Sequence, residues 1–187
     1  MFDDIYLCQI KADEKNVHSF NESYLVSYPV FVNYFRHIPT ITKSNLIIGI
    51  HFTYGWMPTA FDFRSNDFNK AISILNKAKT NEQLTCEELS VLKCLFNNSL
   101  VGTSKLLHFI NPHAYAIWDS HVYHYLTNET PHTYRIENLE TYQEYLKFCQ
   151  RIINYRGYEE IHRSMKRKIK KTLTKLRSLE LILYING

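Results

Sequence analysis

No apolar run in the sequence is long enough to cross a bilayer; the longest candidates, residues 46–50 and 179–185, are short or interrupted. The start, MFDDIYLCQIKADEK, is acidic and lacks the basic-then-apolar order of a secretory signal, so a cytoplasmic location is expected. Cysteine is sparse: Cys8, Cys86, Cys94 and Cys149 include no C-x-x-C pair and no zinc-finger partner histidines. That excludes a zinc finger and an iron–sulfur cluster, and free, mostly buried thiols in a reducing compartment are expected. His108, His113, His121 and His124 cluster in the middle of the chain without a ligand arrangement, so no metal and no other cofactor is expected. A phosphate-cradling P-loop, a dinucleotide fingerprint and a nucleophile elbow are all missing. So are low-complexity segments, internal repeats and a recognisable linker.

What is present is a chain of 187 residues, 45% of them apolar, which suits one folded domain over residues 1–187. Helical signals dominate. Pro29 stands where a helix can begin, with apolar residues continuing over 30–38. A second helix is expected over 42–54, ended by Gly55 and Pro58, and a third over 68–78. Thr85 and Glu88 form a capping box for a helix reaching about residue 97. A turn over 98–102 then leads to a short helix over 103–110, halted before Asn111-Pro112. Asp119 or Ser120 caps a helix over 120–126, and three more are expected over 142–155, 159–171 and 173–185. Alternation is too brief for a sheet, although residues 5–10 and 181–184 suit short strands near the two ends. The expectation is an all-α single domain, with very short terminal strands at most.

The net charge of +4 is unevenly spread: residues 162–177 carry eight Lys or Arg and no acid. Apolar residues recur there at helical spacing, so one face packs inward and the other presents cations. Lys168, Lys170 and Lys171 are the expected contacts to a phosphate backbone.

Two features stand close together in residues 99–125. The first is a helix, a tight turn containing Gly102, and a new helix at once. Unpaired amides at such a helix start can hold a phosphate. The second is Ile117-Trp118-Asp119-Ser120-His121-Val122, where Asp119 follows a Pro-containing loop and precedes a helix. An N-cap is the simplest role for Asp119 taken alone. In their order and separation the two features resemble the helix-hairpin-helix DNA glycosylases. Those proteins carry a hairpin of the form LPGVG, with Lys, Ser or Thr two residues on, and later a loop ending in Val-Asp, Ser or Thr, His, and Val or Ile. Here the hairpin is Ser99-Leu100-Val101-Gly102-Thr103-Ser104-Lys105. Leu100 replaces the first glycine, Leu106 or Leu107 replaces the family's alanine, and the interval from Gly102 to Asp119 is a few residues short.

The resemblance implies a helix-hairpin-helix fold, with residues 85–126 as the hairpin and catalytic segment. It implies a monomer acting on double-stranded DNA, with no membrane and no protein partner. Leu100, Val101, Gly102, Thr103 and Ser104 would hold a phosphate. Asp119 would stabilise the positive charge that develops on the sugar as the base leaves. Family members that also nick the strand use a lysine amine early in the second hairpin helix. Aligned on Gly102, that slot holds Ser104, which implies a water-using, monofunctional enzyme. Lys105, one residue on, is the second candidate: a catalytic amine if the short helix turns it into place, or a phosphate contact. Tyr54, Trp56, Met57 and Trp118 are the expected walls for a flipped base, with core packing as their alternative. The substrate base, and repair of host DNA against attack on modified phage DNA, stay open. Two other functions are compatible with these residues: a non-catalytic nucleic-acid-binding helical domain, and a helical interaction protein in which Asp119 is only a cap.

Overall fold

The computed structural model describes residues 2, 5–18, 24–57, 67–80 and 82–187. Among them are eleven α-helices, one short 3-10 turn and no strand: α1 (Leu7–Asp13), α2 (Tyr24–Arg36), α3 (Lys43–Tyr54), α4 (Phe68–Lys79), α5 (Cys86–Leu95), α6 (Leu100–Ile110), α7 (Ser120–Thr127), α8 (Thr133–Ile136), α9 (Leu139–Ile153), α10 (Tyr158–Ile169) and α11 (Lys175–Asn186). None is long and apolar enough to cross a membrane.

Two helices are buried along most of their length and organise the rest. In α6 every residue except Val101 and Lys105 is buried, and the helix packs against α2, α3, α4 and α5. In α11 the run from Leu176 to Leu183 is buried throughout, and the helix packs against α1, α7, α9 and α10. The two groups share one apolar core. Close approach within the first group needs a small residue: a Cβ on Gly49 would stand 2.6 Å from Phe35 Cζ and 2.7 Å from Leu106 Cδ1. Gly49 is what lets α2, α3 and α6 meet.

The helix signals in the sequence hold where capping chemistry is explicit. Thr85 and Glu88 form a reciprocal capping box, and Thr42 and Asn45 form another. Asn111 stops α6: its side chain accepts from the His113 and Ala114 amides and donates to Ala78 O at 2.9 Å. Neither expected terminal strand forms, and most of both segments is helical. Residues 7–10 belong to α1 and residues 181–184 to α11. A continuous apolar run fits a helix buried on all sides as well as a strand, and burial of α11 decides it. Helix α2 begins at Tyr24, not at Pro29, which lies inside it. Leu25, Tyr28, Val32 and Phe35 are buried at helical spacing, which outweighs the one backbone bond the proline cannot make. Pro58, the second expected stop after α3, lies outside the described residues. Only Cys149 is buried; Cys8 and Cys94 are exposed and Cys86 is half-buried, so the thiols are free but not mostly buried.

The turn between α5 and α6 is not made by glycine. Asn97 and Asn98 take left-handed φ angles of 54° and 59°, and Ser99 caps α6. Asn adopts that region at low cost among residues with a side chain. Gly102 sits inside the first turn of α6 for a different reason: a Cβ there would stand 2.8 Å from Cδ1 of the fully buried Phe96 ring. Gly102→Ala should therefore destabilise the fold by about 1–2 kcal/mol, because overpacking exceeds the roughly 1 kcal/mol gained in helix propensity. Thermal unfolding checks this, and the loss should shrink when Phe96→Leu makes room.

Candidate active site

Asp119 is the N-cap of α7, and its Oδ1 accepts from the Val122 amide at 2.9 Å. The extended segment leading to it is pinned by side chains of α6 and α9. The carbonyls of Tyr115, Ala116 and Ile117 accept in succession from His108 Nδ1 at 2.6 Å, Tyr142 Oη at 3.2 Å and Tyr145 Oη at 3.0 Å. Trp118 follows, fully buried, donating from Nε1 to Ile136 O at 2.8 Å. Four consecutive residues are thus held by side-chain hydrogen bonds before the chain delivers Asp119. Such support holds a carboxylate in one place without relying on the carboxylate's own contacts.

Ser104 belongs to this scaffold. It is fully buried, donates to Val101 O at 2.9 Å and accepts from the Trp118 amide at 3.0 Å. One residue on, Lys105 lies about 100° round the helix. It lines a cavity of about 870 Å³ together with Asp119. Sequence alignment placed Ser104 in the slot of a catalytic amine; the fold puts Lys105 at the cavity and Ser104 in the core. Burial holds the Lys105 ammonium below its ordinary range, while the negative charges of Asp119 and Glu180 oppose that shift.

The remaining expected residues divide. Trp56 and Met57 line the cavity with Gly55 and Ser27, and Trp56 Nε1 donates to Ser27 Oγ at 2.8 Å. Trp118 does not line it: the indole is enclosed by Tyr123, Tyr142 and Tyr145 and anchors the loop. Tyr54 is stacked on Phe96 with centroids 6.0 Å apart, also away from the cavity walls.

The hairpin tip departs from a phosphate grip. Leu100, Gly102, Thr103 and Ser104 are buried and Val101 is half-buried. The Leu100 amide donates to Glu137 Oε2 at 2.7 Å, the Gly102 amide to Ser99 Oγ at 3.1 Å and the Thr103 amide to Ser99 O at 3.1 Å. A carboxylate already occupies the start of the helix, where a phosphate would have to go, and Lys93 pairs with it at 3.2 Å. Of the first-turn amides, that of Val101 alone lacks a protein acceptor among the described residues.

The basic segment divides as well. Lys168 is tied to Glu14, 2.6 Å from its carbonyl oxygen and 2.7 Å from its carboxylate, so it is not a free phosphate contact. Lys175 pairs with Glu159 at 2.9 Å. Lys170 and Lys171 are exposed, as are Arg163, Lys166 and Arg167 on α10.

Two charged residues of the cavity were not expected from the sequence as site residues. Arg177 and Glu180, three residues apart on α11, both line the cavity and are almost wholly buried. Arg177 was counted with the surface cations. The signal was its position: one cation and one acid at helical spacing within a run that is otherwise apolar except for Ser178, residues 176–185. Comparison with protein-family models, curated proteins and solved structures finds no match, so the chemistry of this cavity stands on its own residues.

Proposed function

We propose that this chain is a DNA glycosylase, cleaving the bond between deoxyribose and a base flipped out of double-stranded DNA. The observation that carries the reading is the meeting of Asp119 and Lys105 in one cavity beside the flat surface of Trp56. The three supply what base excision needs. An aromatic wall receives the extruded base. A carboxylate offsets the positive charge that grows on the sugar as the bond lengthens. An amine stands within the same enclosure to attack the anomeric carbon.

The argument for a purely hydrolytic enzyme rested on Ser104 in the amine's place, and that residue is spoken for inside the core. The proposed enzyme therefore uses Lys105. Its neutral amine adds at the anomeric carbon as the base leaves with the bonding electrons, and opening of the sugar gives an imine. Loss of the 3′ phosphate by elimination then nicks the strand, and water releases the lysine. Burial favours the neutral amine that this step requires.

DNA would be held by the exposed cations Arg163, Lys166, Arg167, Lys170 and Lys171 rather than by hairpin amides. Excision of damaged host bases and of modified phage bases calls for the same chemistry, and the substrate separates them. The test is incubation of the purified protein with duplexes and genomic DNAs carrying different base modifications, scoring released base, abasic sites and nicks. Borohydride should trap a covalent adduct on Lys105. Release of no base from any DNA would leave the alternative, a nucleic-acid-binding domain without catalysis.

A further inference from the structure

Helix α11 brings into the cavity a guanidinium and a carboxyl that the bond-breaking chemistry does not use. Arg177 and Glu180 each keep only 3% side-chain exposure. Glu180 Oε2 accepts from Arg177 Nη1, and among the described residues this is the carboxyl's sole hydrogen bond. The guanidinium lies 5.8 Å from the centroid of the Trp56 ring and 5.3 Å from that of Tyr28. Behind it, Tyr28 Oη is 3.0 Å from His108 Nε2. His108 Nδ1 faces a carbonyl, so its proton sits there and Nε2 accepts from the phenol. Burial pushes His108 down to about 3 and Tyr28 up to about 12, so the layer behind Arg177 is neutral. The titratable groups lining the cavity itself are Lys105, Asp119, His121, Arg177 and Glu180.

A buried ion pair is a poor way to fill space, since apolar residues of similar volume pack there at least as well. Placed on a cavity wall beside an aromatic surface, it is a means of reading a polar edge. A guanidinium donates and a carboxylate accepts, side by side. The matching edge on a base has C=O next to N–H.

We propose that Arg177 and Glu180 are the specificity-determining pair of this cavity, and that its substrates are neutral bases with a lactam or imide edge. This inference rests on the base-excision reading. Arg177 meets the carbonyl, Glu180 accepts the adjacent N–H, and Trp56 stacks on the ring. A base without that N–H gives Glu180 no donor on the cavity side beyond the one it already has in Arg177.

The test uses a pair of bases that differ at one atom. Hypoxanthine and 1-methylhypoxanthine are titrated as free bases against the wild-type chain, with tryptophan fluorescence as the readout. The same bases are placed singly in duplexes as 2′-deoxyinosine and its 1-methyl derivative, and base release is followed in single turnovers. The N–H member should be preferred by about 100-fold or more in affinity or rate. Glu180→Gln keeps the side chain's volume but presents either amide group, and should shrink the preference below about tenfold. A purely structural role would lower both members alike and leave the ratio unchanged. Equal treatment of the two bases by the wild-type chain, absence of any binding or release of either, or an unchanged ratio in Glu180→Gln would overturn the assignment. Asp119-dependent release of some other class of base would overturn it while preserving the glycosylase. Selective binding of hypoxanthine without release from any duplex would preserve the edge reader and remove the glycosylase.

Discussion

Asp119→Asn should abolish base release, by roughly 10²–10⁴-fold in single turnovers, while the protein keeps its fold and its affinity for DNA. Asn caps a helix about as well as Asp, so the bond to the Val122 amide survives. The scaffold that places the residue does not touch the carboxylate's charge: it consists of the tyrosine, histidine and serine contacts to residues 115–118. The substitution also removes a negative neighbour that raises Glu180. Stability should therefore hold or increase slightly as activity collapses, the pattern expected when a charge is kept for chemistry rather than for folding. Near-normal release by folded Asp119→Asn protein would remove Asp119 from the reaction.

The sequence made the helices legible where a capping box or an Asn-Pro stop marked their ends, and it made Asp119 legible through the WDSHV segment. It was less informative where burial overrides pattern. The buried run of α11 carries no amphipathic period, so its segment 181–184 suited a strand, and Arg177 merged into the basic block before it. The hairpin shows the same limit at the scale of one residue. Alignment on Gly102 presumed that the glycine makes the turn. Asn97 and Asn98 make it instead, Gly102 serves the Phe96 ring, and α6 starts at Leu100. One position along a helix is about 100° of rotation. That is the difference between Ser104 tucked under Trp118 and Lys105 at the cavity. Glu137, far from the hairpin in sequence, could not have been foreseen as the group that fills the expected phosphate position.

The second large effect concerns the ion pair itself, and it separates by pH. Burial raises Glu180 from an ordinary 4.5 to about 7 despite the guanidinium beside it. The folded state thus binds a proton more tightly than the unfolded state, and stability from this group falls as pH rises between those two values. Arg177→Met removes the partner that holds the carboxyl down. The single variant should lose about 3–5 kcal/mol at pH 8, where a buried carboxylate stands uncompensated beside Asp119. At pH 5 the carboxyl is protonated and much of that loss should return. Glu180→Leu strands the cation instead. It should cost roughly 3–5 kcal/mol at pH 8 and less at pH 5, where the wild-type carboxyl is itself protonated and no longer compensates the arginine. The double variant Arg177→Met with Glu180→Leu strands neither charge, and should match or exceed the wild type by up to about 4 kcal/mol, with the slope between pH 4.5 and 7 flattened. Denaturant unfolding of the four proteins at pH 5 and pH 8 gives the full cycle. Additive losses in the double variant would mean that the two groups are not coupled in the folded protein. A stable double variant that no longer distinguishes hypoxanthine from its 1-methyl derivative would locate the reason for burying two charges in the base they meet rather than in the fold they belong to.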